Sequence, residues 1–105
     1  MIDKGPGVPD NWEMENNSVY LLRLFVAGTS SMSIRAISNL TRILEEHLPE
    51  RYELEIIDVH QHHSIAAEEN IAAVPMLVKR FPDPVRRLIG DMSDTAKVLR
   101  GLGLT

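Results

Sequence analysis

The stretch Val74–Asp91, VPMLVKRFPDPVRRLIGD, decides how this chain is read. Pro75 opens an apolar run, and a proline suits the first residue of a strand because it has no N–H to give to a ladder. Pro82 and Pro84 bound a turn, a second strand follows, and Gly90-Asp91 leads out toward a C-terminal helix. Upstream, Val19–Val26, VYLLRLFV, is almost unbroken apolar, the pattern of a central strand covered on both faces. Gly28 and the Thr29–Ser31 cluster supply a turn and candidate N-caps. A helix is expected from about Ser33 to His47, with Ile34, Ile37, Leu40, Leu44 and Leu48 at helical spacing and Pro49 stopping it. Tyr52 to Val59 reads as the next strand, with Leu54, Ile56, Ile57 and Val59 apolar. Strand, helix and strand at this spacing predict a right-handed βαβ unit. Ile65–Ala73, rich in alanine and glutamate, favours a short helix with little apolar surface to pack. In the last helix Ser93 is the expected N-cap and Asp94 suits the positive end, while Val98, Leu99 and Leu102 form the apolar face. Gly101 and Gly103 are expected to interrupt it. The predicted order is βαβαββα.

Composition bounds what such a chain can be. Its 105 residues leave room for one small domain, and 44% apolar with 25% charged residues is ordinary for a globular protein. A net charge of −4 supplies no basic patch for nucleic acid. The sequence shows no apolar leader and no run of membrane-spanning length, so a soluble, cytoplasmic protein is expected. Residues 1–17 hold Gly5, Pro6, Gly7, Pro9 and Asn16-Asn17, with Trp12 and Met14 as the large apolar groups. They read as a flexible lead-in to a single domain over 18–105. Trp12 is either a mobile tail residue or a group that docks on the domain or on a partner.

A strand-turn-strand-helix unit led by a proline, preceded by βαβ, is also the plan of a thioredoxin-like domain. Yet there is no cysteine, hence no thiolate chemistry, no disulfide and no zinc site of the cysteine type. Ser30-Ser31 falls where a thioredoxin active site would lie, but neither serine has a neighbouring histidine to activate it, so both read as helix caps. His60, His62 and His63 form an H-x-H-H cluster that could bind a divalent metal. It follows a strand directly and precedes a helix, so an exposed loop is the simpler reading. No catalytic residue, metal or cofactor is assigned.

The segments AGTSSMSIRAISNL, EIIDV, AAVPML and PDPVRRLIGDMSDTAKVLRGLGL, in this order and spacing, resemble the KaiB family of circadian clock proteins. The resemblance runs from about Leu21 to Leu104, and PDPVRRLIGD is its most specific block. Similar sequences form the sensory domain of SasA-type kinases, where a kinase region follows; ending at Thr105, this chain is expected to be a stand-alone member.

The resemblance implies a protein with two folds. One is thioredoxin-like; the other is a KaiB ground state, βαββααβ, with the C-terminal half rearranged and the chain self-associated as a dimer or tetramer. It implies binding of a KaiC-like hexameric ATPase and no catalysis by the protein itself. Pro75, Pro82, Pro84, Gly90 and Gly101 are the candidate switch residues, since X-Pro bonds take the cis form at a cost of only about 0.5–1 kcal/mol. A thioredoxin-like state would carry a cis bond at Pro75. Arg23 interrupts an apolar strand, so it must be paired or lie at an interface. Arg35 and Lys79 match basic positions typical of the family. Arg86 and Arg87 are adjacent and point to opposite faces of a strand, so one is expected to pair with a carboxylate while the other meets a partner. These five are the candidate partner or oligomer contacts. Asn70 stands where relatives often carry lysine. Glu53 and Glu55 give the second strand an acidic edge, and Gly103 replaces an acidic residue near the end. KaiA capture is therefore doubtful, and a role outside the full oscillator is expected. The alternative is a KaiC-independent thioredoxin-like adaptor in stress adaptation.

Overall fold

The computed structural model describes residues 19–104. The expectations for the lead-in and Trp12 lie outside the described residues. Seven elements follow in order: β1 (Tyr20–Val26), α1 (Ser31–His47), β2 (Tyr52–Asp58), α2 (His63–Glu68), β3 (Met76–Phe81), β4 (Arg86–Ile89) and α3 (Thr95–Leu102). This is the expected βαβαββα order. The four strands form one sheet in the order β2-β1-β3-β4. β1 runs parallel to β2 and antiparallel to β3, while β3 and β4 make an antiparallel hairpin. The apolar run VYLLRLFV thus takes a central place, with a neighbour on each side.

The two faces of the sheet are covered unequally. On one, Tyr20, Leu22, Leu24, Val26 and Leu77 pack against Ala36, Leu40, Ile43, Leu44 and Leu48 from α1 and its C-terminus, and against Val98 and Leu102 of α3. On the other, Phe25, Ile57, Met76 and Val78 are met by Ile65, Ile71 and Val74 from α2 and the loop after it. Leu21 and Phe81 remain 40% and 44% exposed beyond that cover.

The helices are set by local chemistry, and five expectations need correction. Ser30 caps α1, its Oγ accepting the Ser33 N–H at 3.2 Å, so the helix starts at Ser31 rather than Ser33. Ser33 turns inward, where its Oγ accepts from the Ala27 N–H (3.0 Å) and the Ser30 hydroxyl (2.9 Å). That orientation puts Ala36 and Ile43 on the buried face and leaves Ile34, expected there, 55% exposed. The second helix is shorter and earlier than Ile65–Ala73. Asn70 adopts a left-handed conformation (φ 56°), and its N–H bonds Ala67 O while the Ile71 N–H bonds Ala66 O. This double bond closes a helix C-terminus, and asparagine tolerates the conformation it needs. In α3 the N-cap is Asp94, whose carboxylate accepts the Lys97 N–H, not Ser93. Ser93 instead donates its N–H to Asp91 Oδ1 at 3.1 Å. Gly101 does not interrupt α3: a Cβ there would lie 2.5 Å from Leu88 Cδ1, so the glycine lets the helix approach β4 closely. The helix ends at Leu102, with Gly103 in the left-handed region after it.

A candidate partner-binding surface

The thinly covered face of the sheet carries the charged cluster of the molecule. β1, β3 and β4 contribute Arg23, Arg80 and Arg87, and these three converge on Glu69 at the end of α2. Arg23 Nη1 lies 2.8 Å from Glu69 Oε2, Arg80 Nη1 3.5 Å from the same oxygen, and Arg87 Nη2 3.9 Å from Oε1. Arg23 also donates through Nε to Glu55 Oε1 on β2 at 2.9 Å. Strand register explains the convergence, because Arg23, Glu55, Val78 and Arg87 lie in one row across the sheet. Arg87 further donates to the backbone carbonyls of Glu69 and Asn70. It therefore satisfies acceptors that the C-terminus of α2 leaves free. Glu69 is mostly buried, with 18% of its side chain exposed, whereas Arg80 and Arg87 keep 47% and 39%. The guanidinium groups have donors left over, and planar guanidinium suits carboxylate recognition.

The five candidate contacts divide accordingly. Of the two expectations for Arg23, pairing or an interface, the structure shows the pairing, with Glu55 and Glu69. Arg86 and Arg87 take opposite faces; Arg87 joins the Glu69 cluster, and Arg86 is exposed in the row opposite Lys79. Arg35 is exposed on α1 and bonds Asp91 Oδ2 through Nε at 3.2 Å. With Asn39, whose side-chain amide donates to Asp91 O at 2.9 Å, it ties α1 to the loop after β4. Lys79 does not belong to the exposed set. It faces the large core beside Leu22 and is 3% exposed, and burial pushes its pKa below the ordinary value, with Arg86 adding to the effect and Asp83 opposing it. Arg80 and Glu69 were not singled out from the sequence.

The groove beside this cluster is lined by Leu21, Leu22, Arg23, Glu53, Leu54, Glu55, Arg80 and Phe81, with a volume of about 620 Å³. At the opposite end of the sheet lie Ser30, the bonds of Pro75 and Gly90. The Val74–Pro75 bond is cis, as are Phe81–Pro82 and Asp83–Pro84. Gly90, with φ at 127°, donates its N–H to Pro75 O at 3.0 Å. At this end the Ser30 hydroxyl donates to Ser33 Oγ at 2.9 Å. His60, His62 and His63 are exposed at the β2–α2 junction, and His62 occupies the N-cap of α2. Among the described residues no group of three His, Cys, Asp or Glu side chains is placed to hold a metal ion. Nor is any helix among them long and apolar enough to cross a membrane.

Fold and site together define a thioredoxin-like α/β domain with an arginine–carboxylate surface on one face. Among solved structures, the N-terminal domain of Synechococcus elongatus SasA superposes with a TM-score of 0.67 at 23% identity, covering 84% of this chain and 87% of that one. Mitochondrial thioredoxin 3 of Saccharomyces cerevisiae gives 0.67 at 20% identity, with 90% of each chain covered. At such identities these likenesses establish the fold alone. The KaiB domain family model matches residues 23–104. Circadian clock protein KaiB3 of a Synechocystis species is 46% identical over 91 residues, covering 87% of this chain and 88% of that protein. Circadian clock oscillator protein KaiB of Microcystis aeruginosa is 48% identical over 85 residues, covering 81% and 82%. The chain belongs to the KaiB family, and its role is that of a KaiB-like regulatory protein.

Proposed function

We propose that this protein is a non-catalytic, cytoplasmic regulator that docks on a KaiC-like hexameric ATPase and alters its phosphorylation or signalling output. The observation that carries the reading is the KaiB match across nearly the whole described domain, on a thioredoxin-like fold that has no thiol. The chemistry of the surface fits it. Arg80, Arg86 and Arg87 offer unused donors to carboxylates on a partner, and Arg23 is held in place by two glutamates. In this reading KaiA is not a partner, because the edge strand β2 presents Glu53 and Glu55 outward. The thioredoxin-like arrangement is one of two, the other being a self-associated state with residues 60–105 rearranged around Pro75, Pro82, Pro84, Gly90 and Gly101.

Co-purification with the KaiC-like ATPase, with and without nucleotide, tests the reading. Incubation must be long, because a minor binding-competent state lowers the apparent affinity in proportion to its population. A complex that weakens on charge reversal at Arg86 or Arg87 is expected. No complex after long incubation with either nucleotide state would refute the proposal. Light scattering across concentration tests the second state, which is expected as a dimer or tetramer; a monomer at every concentration would exclude it.

A further inference from the structure

We propose that the open edge of β4 is a docking strand for an extended segment of another protein that carries two adjacent acids flanked by aliphatic residues. The sheet has two outer strands, β2 and β4, and each leaves one row of backbone groups without a strand partner among the described residues. On β4 the ladder fixes which groups these are. The Gly90 N–H bonds Pro75 O, so Gly90, Leu88 and Arg86 turn their N–H and C=O groups toward β3, where Leu88 pairs with Leu77 and Arg86 with Lys79. Arg87 and Ile89, between them, point theirs outward. Such a row can exchange main-chain hydrogen bonds with an added strand, while side chains on alternate faces select what is added.

The side chains along this edge define the segment. On the thinly covered face Val85, just before the strand, and Ile89 are 57% and 54% exposed, and the half-exposed Arg87 lies between them. On the other face Arg86 is exposed, and Leu88 borders a recess of about 170 Å³ whose further walls include Met92 and Val98. Asp91 and Asp94, also at the recess, are already engaged by Arg35, by Ser93 and by the Lys97 N–H. Residues directly opposite on neighbouring strands share a face and touch. The complement is therefore an aliphatic residue opposite Val85, acids opposite Arg86 and Arg87, an aliphatic residue entering the recess opposite Leu88, and another opposite Ile89. Charge separates this edge from the other, since β2 carries the exposed Glu53 and Glu55 and would repel an acidic strand. A second copy of the chain is a poorer occupant, because antiparallel pairing of β4 with itself about Arg87 sets like charges side by side.

The probes are two blocked peptides, Val-Glu-Glu-Val-Val and its reverse, Val-Val-Glu-Glu-Val, which serve the two strand directions. They are added to the full-length chain while its backbone amides are followed by NMR. No ATPase enters the assay, so its outcome is separate from that of the co-purification. One peptide should shift the Arg87 and Ile89 amides downfield and slow their exchange with solvent several-fold, leaving the β2 amides of Leu54 and Ile56 in place. Arg86→Glu and Ile89→Asp, both at exposed positions, should each weaken binding several-fold without changing far-UV circular dichroism. The binding peptide methylated on its backbone nitrogens keeps its charges but cannot pair as a strand; it should not bind, and it carries the test if either variant fails to fold. Equal binding of the methylated peptide would overturn the proposal, since charge alone would then suffice. So would shifts confined to β2, or no shift with either peptide. Shifts of the β4 amides on raising the protein concentration without peptide would also overturn it, because the edge would then belong to a second copy.

Discussion

The two faces of the sheet are held by different forces. Under α1 and α3, the cover is apolar and continuous, with Leu24, Leu40, Ile43 and Leu44 fully buried and Lys79 as the one charged group among the buried described residues. Under α2, a six-residue helix with no fully buried residue is held by a small apolar cluster and by three arginines that meet Glu69 and the carbonyls behind it. Hydrophobic burial has no direction and tolerates no water, whereas ion pairs that stay partly wet can exchange partners at small cost. The first face therefore sets the stability of the domain. The second leaves the guanidinium groups of Arg80 and Arg87 partly exposed.

The sharpest way to break this contrast is to remove equal chemistry from each face. Leu40→Ala, at a position with no exposure, should cost about 2–5 kcal/mol, the range for a large side chain deleted from a packed core. Ile65→Ala, on the half-buried helix α2, should cost only about 1 kcal/mol. Urea unfolding of both variants measures the difference. Equal losses would mean that the two clusters are one cooperative core and that the charged face carries as much of the fold as the apolar one.

Glu69→Gln ranks next. It leaves shape and one acceptor but takes the negative charge from the centre of three guanidinium groups. The pairs are partly exposed, so the expected loss is about 1 kcal/mol, shrinking as salt is raised. Leu40→Ala should show no such salt dependence. A Glu69→Gln loss that is unchanged in high salt would point to hydrogen-bond geometry rather than charge as what holds α2.

Lys79→Met acts in the opposite direction. The side chain is buried, burial lowers its pKa, and no ion pair to it is made among the described residues. An apolar side chain of similar length should raise stability by about 1 kcal/mol at neutral pH. A folded-state pKa below the unfolded one means that the unfolded chain binds more protons at alkaline pH. Wild-type stability should then rise as pH climbs from the folded value toward the ordinary lysine value of 10.5, and Lys79→Met should lose that rise.

These residues also show where sequence reading stops. β1 was legible because an unbroken apolar run has few places to go except the middle of a sheet. The order of elements was legible because caps, prolines and periodicity agree along the chain. The buried face of α1 came out displaced because Ser33 faces inward to serve Ala27, a bond that hydropathy does not register. Lys79 reads as a contact because it matches a basic position typical of the family, although strand alternation places it on the same face as Leu77. The Glu69 cluster was beyond reach for another reason. Arg23 and Glu69 are 46 positions apart, and they meet only because the strand order carries the end of α2 over β1. Asn70 read only as a departure from a family pattern; as the left-handed residue that ends α2, it places Glu69 where the arginines meet.

The smallest expected effect lies at the seam between the faces, where Asp91 joins the loop after β4 to α1. Hydrogen bonds from Ser93 lower its pKa first, and the Arg35 guanidinium lowers it further, against a small desolvation effect. A carboxylate with a depressed folded pKa contributes stability above its unfolded value of 3.8, and that contribution is lost as pH falls through the folded value. Asp91→Asn should thus lower stability slightly at neutral pH and converge with wild type in acid, where the wild-type carboxyl is protonated too. Arg35→Gln should reproduce part of the neutral-pH loss while leaving the Ser93 bonds in place. The urea midpoint of the three proteins, followed from neutral into acid, reads this directly. Parallel curves at all pH values would show that the loop is held by the Asn39–Asp91 backbone bond alone, and the seam would then belong to the apolar face rather than the charged one.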